Sequence, residues 1–235
     1  IRLPWAHPNT ERTTHGWSRD AMTALMDFIS TRRFQLATDS WQHISATVQA
    51  VLIATLLSVA LGVAVYRSRS GSAIATGLAA TALTVPSFAL LGLLIPVLGL
   101  GVLPTMTALV IYAVLPILRN TIVGLDAVPA ATVDAARGVG MSRIGVLGRV
   151  EIPLAWPSIL AGIRISTQMS MGILAIAAYA KGPGLGNLIF AALSRVGTPT
   201  ALPMALTATV LIVVLALVLD ALLVLLGRLT IRGNQ

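Results

Sequence analysis

The side chains able to do chemistry are few in this chain and fall in four places. Arg164 and Asp220 are ionisable groups inside long apolar runs. A charge at the centre of a bilayer costs about 2.5–3.5 kcal/mol on insertion scales. Both lie toward one end of their runs, where snorkelling lowers that cost, so pairing with each other and pairing with a second chain are both open. Just after Arg164 come Ser166, Thr167, Gln168 and Ser170, a polar stripe that suits helix–helix contact or pore lining equally. Pro86 stands mid-run, where the missing backbone N–H kinks or unwinds a helix, as a gate or as a static packing bend. Ser87, Phe88 and Tyr112 are open to two readings, ordinary helix packing and lining a path for a cationic solute, the latter because an aromatic face attracts a quaternary ammonium. Last, Ala135, Ala136 and Gly140 keep one segment small while Arg137, Arg143 and Arg149 make it basic. That pattern fits a surface another protein approaches closely, or an amphipathic lid on a membrane.

Other chemistries find no support. The chain has no cysteine, hence no disulfide and no thiol nucleophile. His7, His15 and His43 are too far apart for a helical metal pair and are expected to be solvated or interfacial. Gly182-Pro183-Gly184-Leu185-Gly186 lacks the Lys-Ser or Lys-Thr that completes a phosphate-binding loop, so it is expected to be a structural turn. The apolar runs carry no nucleophile, acid pair or metal set for a membrane-embedded enzyme. Aromatic residues make up 5% of the chain, which gives nucleic-acid stacking no basis.

The elements that must position these residues are read from the missing charges. Only 10% of the 235 residues are charged and 56% are hydrophobic, against about 25% charge in a soluble domain. No Asp, Glu, Lys or Arg occurs over 44–66, 70–118, 165–180 or 196–219. A bilayer core of roughly 30 Å takes about 20 helical residues, so the run 70–118 holds two spans joined by a turn near Gly99-Leu100-Gly101. The expectation is an all-α polytopic membrane protein with five transmembrane helices, at about 44–66, 73–95, 104–123, 158–180 and 203–227. Residues 1–43 are expected as an extracytoplasmic segment. In it, an amphipathic helix over 20–42 presents Ala21, Leu25, Phe28 and Ile29 on one face and Trp41 near the interface. Arg67, Arg69, Arg119, Arg137, Arg143, Arg149, Arg164, Arg228 and Arg232 collect on one side. The positive-inside rule makes that side cytoplasmic, with the N-terminus outside and the C-terminus inside.

The loop 124–157 is long beside its neighbours. Pro129 opens a helix-favouring stretch, Gly138 and Gly140 interrupt it, and Ser142 is the candidate N-cap of a second stretch to Val150, with Pro153 and Pro157 ending it and starting the next span.

Asp134-Ala135-Ala136, three residues, Gly140, nine residues, then Val150-Glu151-Ile152-Pro153 resembles the EAA loop of ABC-transporter permeases. That pattern is Glu-Ala-Ala, three residues, Gly, nine residues, Ile-x-Leu-Pro. Asp134, Val150 and Ile152 depart from it conservatively. Thr84 to Pro96, Ala113 to Thr121 and Lys181 to Phe190 are similar to segments of permeases for osmoprotectants such as glycine betaine, choline and carnitine. The resemblance covers roughly residues 40–232 and implies the type I importer permease fold.

The resemblance implies further that Asp134, Ala135, Ala136, Arg137, Gly138, Gly140, Met141, Ile152 and Pro153 form an ATPase-coupling loop. Pro86, Ser87, Phe88, Tyr112 and Asn120 fall on the translocation path. The implied partners are a dimer of ATP-binding subunits carrying ATP and Mg, a second permease subunit (identical or homologous), an extracytoplasmic substrate-binding protein and the bilayer of a bacterial or archaeal cytoplasmic membrane. No nucleic acid is implied, and no cofactor on this chain. The competing readings are a permease of the same class for another solute such as methionine, and an ion-coupled secondary transporter.

Overall fold

The computed structural model describes the backbone of residues 14–232 and the side chains of residues 22–230. The helices are α1 (Thr14–Thr31), α2 (Arg33–Val65), α3 (Arg69–Thr84), α4 (Ser87–Leu98), α5 (Val102–Asp126), α6 (Ala130–Gly138), α7 (Arg143–Val146), α8 (Ile152–Ile176), α9 (Gly186–Leu193) and α10 (Ala201–Arg232). A π-helical turn, Leu147–Glu151, joins α7 to α8, and a 3-10 turn, Ala177–Ala180, follows α8. No strand occurs among the described residues, and the all-α expectation holds.

Four spans lie in long apolar helices at Arg33–Val65, Val102–Asp126, Arg143–Ala180 and Ala201–Thr230. The remaining one, expected to run unbroken over 73–95, is two helices. α3 and α4 meet at 94°. The cause is Pro86, which excludes its predecessor from the helical region. Val85 (ψ 124°) and Pro86 (ψ 137°) are both extended, and two extended residues in succession turn the chain through a corner. The Tyr112 hydroxyl of α5 donates to the Val85 carbonyl at 2.5 Å, pairing a group that the corner strips of its helical partner. The bent pair still joins opposite ends of the bundle. Its start is tied to the end of α2 by Ser72 Oγ donating to the Val65 carbonyl. Past its end, the Gly101 N–H donates to the Ala180 carbonyl beyond the far end of α8, at 2.7 Å. Among the described residues there are thus four long apolar helices, and five spans when the bent pair is taken as one.

Three further expectations need correction. The helix over 20–42 is divided at Arg32 (φ −111°, ψ 17°), and residues 33–43 are continuous with the first span in a rod about 50 Å long at 1.5 Å per residue. Within α1, Leu25 and Phe28 are half-buried, and Phe28 packs on the core cluster around Leu36, Leu188 and Met204. Ile29 is 42% exposed. Of that face, the side chain of Ala21 lies outside the described residues, as do His7 and the side chain of His15. His43 is not solvated. Because α2 starts so early, His43 falls well inside the helix, fully buried, with Nε2 3.1 Å from the Met171 carbonyl of α8. Finally, Pro153 and Pro157 end nothing: helix runs on from α7 into α8. The π-turn explains the first. The Ile152 N–H reaches back five residues to the Leu147 carbonyl, and the widened turn takes up the position where the Pro153 ring lacks a donor.

The core is built on α5 packed between α8 and α2, with Leu109, Ile117, Ile159 and Leu174 fully buried. α10 lies against α8, α9 and α1. Outward faces of α2 and α10 carry exposed Leu52, Leu56, Val210, Leu217 and Leu225. A surface this apolar matches a hydrocarbon solvent, in which helices satisfy their own backbone groups.

Candidate coupling loop and transport path

The loop between α5 and α8 folds as an elbow. α6 closes with the Gly140 N–H on the Arg137 carbonyl (2.9 Å) and the Met141 N–H on the Ala136 carbonyl (3.1 Å). These bonds satisfy carbonyls left open at the helix end and require Gly140 at φ +87°, a conformation side-chain-bearing residues avoid. Ser142 caps the second limb by accepting from the Gly145 N–H at 3.2 Å, as its sequence position predicts. No residue of α6 is buried. At the outside of the bend, Val139 and Ile144 are 80% and 83% exposed. Asp134 and Arg137 approach to 3.8 Å in the open, a contact worth little in water, which leaves both free to meet other charges. The motif thus divides into a projecting elbow, Asp134 to Ile144, and a root, Val146 to Pro153, in which Val146 and Glu151 are buried and Ile152 packs on the core.

The root holds a contact that sequence reasoning missed. The Glu151 side chain is 5% exposed. Arg67, in the turn after α2, donates to both its oxygens at 3.0 and 3.2 Å, and the Tyr66 hydroxyl donates at 3.0 Å. The Arg67 guanidinium also lies 5.1 Å above the Tyr66 ring. The Glu151 carboxylate raises the Arg67 pKa above its already high value, and burial, followed by the bond to Glu151, raises that of the Tyr66 phenol. A signal was present in the sequence: Glu151 is the sole acidic residue between Asp134 and Asp220, and a lone carboxylate beside an apolar run calls for a cationic partner.

Residues 54–232 match the family described as "Binding-protein-dependent transport system inner membrane component". The chain belongs to this family. It is a multi-pass inner-membrane permease, the non-catalytic transport subunit of an ABC importer, a system that works with an ATPase and a binding protein. The permease is 36% identical over 198 residues to the choline transport system permease protein OpuBB of Bacillus subtilis, covering 84% of this chain and 91% of that one. It is 40% identical over 193 residues to the osmoprotectant import permease protein OsmW of Salmonella typhimurium, covering 80% and 88%. Its fold is similar to a chain of the MetNI methionine ABC transporter in an inward-facing conformation, with a TM-score of 0.69 at 21% identity, over 87% of this chain and 98% of that one.

The residues expected on the path separate into two groups. Pro86 makes the α3–α4 corner, Ser87 opens α4, and the next residue, Phe88, is 47% exposed. The Phe88 ring meets Tyr179, centroids 5.1 Å apart and planes tilted by 60°, and lies 6.3 Å from Phe190 of α9. Tyr179 and Phe190 were not singled out from the sequence for this path; the corner brings the three rings together. Tyr112 and Asn120 are not gathered with these rings. Tyr112 is buried, its hydroxyl committed to Val85. Asn120 donates to the Pro116 carbonyl at 2.8 Å, and its own carbonyl accepts from Ser158 at 2.9 Å. Both face the packed contacts of α5, which residue type alone does not reveal.

Arg164 and Asp220 pair with each other, Nε to Oδ1 at 2.8 Å and a second guanidinium nitrogen to Oδ2 at 2.9 Å, bridging α8 to α10. The polar stripe beside Arg164 is largely packing: Ser166 donates to the Ala113 carbonyl of α5 and Thr167 to the Ile163 carbonyl of its own helix. Among the described residues no group of three metal-ligating side chains occurs.

Proposed function

We propose that this permease carries a quaternary-amine osmoprotectant (choline, glycine betaine, carnitine or a near relative) inward. The elbow Asp134–Ile144 seats in a cleft of an ATP-hydrolysing subunit, where ATP and Mg are bound, and the opposite end receives solute from an external binding protein. A second permease chain, identical or homologous, completes the pore. The arginine-rich end faces the cytoplasm, so the N-terminus is external and the C-terminus internal. Movement of the elbow is passed through the root to the bundle as a rigid-body switch between outward-open and inward-open states.

The observation that carries the coupling reading is the uncovered elbow. Val139 and Ile144, 80% and 83% exposed at the bend, offer an apolar contact to a partner surface. The solute class is supported by the choline and osmoprotectant relatives and by the exposed ring faces of Phe88 and Tyr179, which suit a quaternary ammonium in transit.

The test is reconstitution with the ATPase and binding protein, with ATP hydrolysis and uptake measured against choline, glycine betaine, carnitine and methionine. Stimulation by one of the first three supports the reading. Stimulation by methionine alone overturns the solute class, and uptake that persists without ATP under an ion gradient overturns ATP coupling.

A further inference from the structure

Where α8 and α10 cross near the elbow end, they leave a pocket of about 330 Å³. Two side-chain clasps bound it. At one end is the Arg164–Asp220 pair, and at the other the Trp156 indole N–H donates to the Thr230 hydroxyl at 2.8 Å. At the floor the Leu160 side chain packs onto Gly227: a Cβ there would lie 2.7 Å from Leu160 Cδ2. Pro157, Ala161 and Val224 make apolar walls, and Arg228 stands at the rim.

The charges do not balance. Asp220 engages Nε and one terminal nitrogen of Arg164, leaving the remaining guanidinium N–H groups without an acceptor among the described residues. Arg228 makes no hydrogen bond or ion pair among the described residues. Two guanidiniums therefore line the pocket while one carboxylate, bonded to Arg164, flanks it, leaving one positive charge in excess. Beyond Asp220, Leu217 and Val213 continue the pocket's face of α10 toward mid-membrane and are 65% and 51% exposed. A guanidinium presents paired donors matched to phosphate oxygens. An indole anchored at a helix end is a feature of the membrane–water boundary.

We propose that this pocket binds the headgroup phosphate of an anionic phospholipid. The phosphate sits between Arg228 and the free face of Arg164, and an acyl chain runs toward mid-membrane along Leu217 and Val213. The chemistry recognised is a phosphate anion. The exposed apolar face at Leu217 and Val213 favours the lipid as its source over a soluble phosphate, because a soluble ion makes no use of it. Basic pockets between transmembrane helices serve this purpose. The clasps at either end mean the occupant bridges the two helices and adds to their contact.

The experiment is native mass spectrometry of the whole importer complex released from nanodiscs of phosphatidylglycerol and phosphatidylcholine with equal chains. Arg228→Gln and Ala161→Leu, which fills the pocket without touching a charge, are compared with the wild type and with Arg119→Gln, which removes an exposed arginine elsewhere. The expected result is a retained phosphatidylglycerol, reduced roughly fivefold by Arg228→Gln, lost with Ala161→Leu and kept with Arg119→Gln. Equal retention in all four proteins overturns the proposal. So does displacement of the lipid by millimolar inorganic phosphate, which would make the site one for the free anion. A crosslink from residue 228 to a second permease chain would also overturn it, by placing protein over the pocket.

Discussion

Glu151 and Arg67 are 84 residues apart in sequence and in bonding contact in space, the guanidinium on both carboxylate oxygens at 3.0 and 3.2 Å. The contact joins the π-turn at the root of the elbow to the short turn between α2 and α3. Because α3 leads directly to the Pro86 corner, this ion pair and the Tyr66 bond beside it tie the root to the start of the bent pair. The two ends of the pair differ in their access to water, 47% exposed for Arg67 and 5% for Glu151.

That asymmetry fixes the order of the mutants. Arg67→Gln leaves a carboxylate buried with Tyr66 as its main donor, whereas Glu151→Gln leaves a guanidinium that water reaches. Breaking a fully buried pair costs about 3–5 kcal/mol; the exposure of Arg67 reduces this to about 1–3 kcal/mol here. The expected order of thermal unfolding midpoints in detergent is wild type, Glu151→Gln, then Arg67→Gln, with the double variant above Arg67→Gln. A double variant no better than Arg67→Gln would show that the pair does not act as a unit.

Gly140 separates backbone demand from surface demand. Nothing lies within 4 Å of where its Cβ would be, yet its φ is +87°. Gly140→Ala therefore meets no clash and carries only the conformational cost of about 1–2 kcal/mol, whereas Gly140→Arg adds a bulky charge at the elbow. The spans should insert normally in both. In the reconstituted importer, Gly140→Arg is expected to lower solute moved per ATP hydrolysed by more than tenfold, with Gly140→Ala intermediate. Normal uptake by Gly140→Arg would remove the elbow from the coupling path.

The helices were legible because a bilayer imposes one strong rule, absence of charge over about 20 residues, and the chain obeys it at 44–66 and 196–219. The elbow was legible because its demands are local: Ser142 caps within three residues and Gly140 turns within one. Proline was only half legible. Pro86 and Pro153 look alike in sequence, but Pro86 breaks a helix while Pro153 rides on a π-turn, and the difference lies in which neighbours accept the freed groups. Tyr112 accounts for part of it, from 27 residues away. Glu151, His43 and Tyr179 were missed for the same reason, since their roles depend on helices that the sequence does not place side by side.

Tyr112 supplies a test of the corner. Its hydroxyl donates to the Val85 carbonyl from a buried position, so Tyr112→Phe removes one bond and almost no volume. An unpaired buried carbonyl costs about 1–3 kcal/mol. The expected outcome is a lower unfolding midpoint together with faster hydrogen exchange confined to residues 82–90. Exchange that rises evenly along α5 instead would mean that the bond stabilises α5 packing and leaves the corner unaffected.

The Arg164–Asp220 pair gives the last test, because its geometry is nearly symmetric. Two parallel bonds of 2.8 and 2.9 Å join α8 to α10, and each side chain lies in a long apolar helix. Either Arg164→Asp or Asp220→Arg places two like charges face to face, where repulsion adds to the lost bond. Exchanging both restores opposite charges, but with a short side chain on α8 and a long one on α10, so the fork geometry is only partly recovered. Arg164 is 38% exposed, which keeps the single-variant cost below the roughly 3–5 kcal/mol of a fully buried pair. The expected pattern in membranes is low abundance of each single variant and at least half-restored abundance of the double. If the double is no more abundant than the singles, the two residues have separate partners, and the contact between α8 and α10 rests on Gly227 against Leu160 and on Trp156 with Thr230 instead.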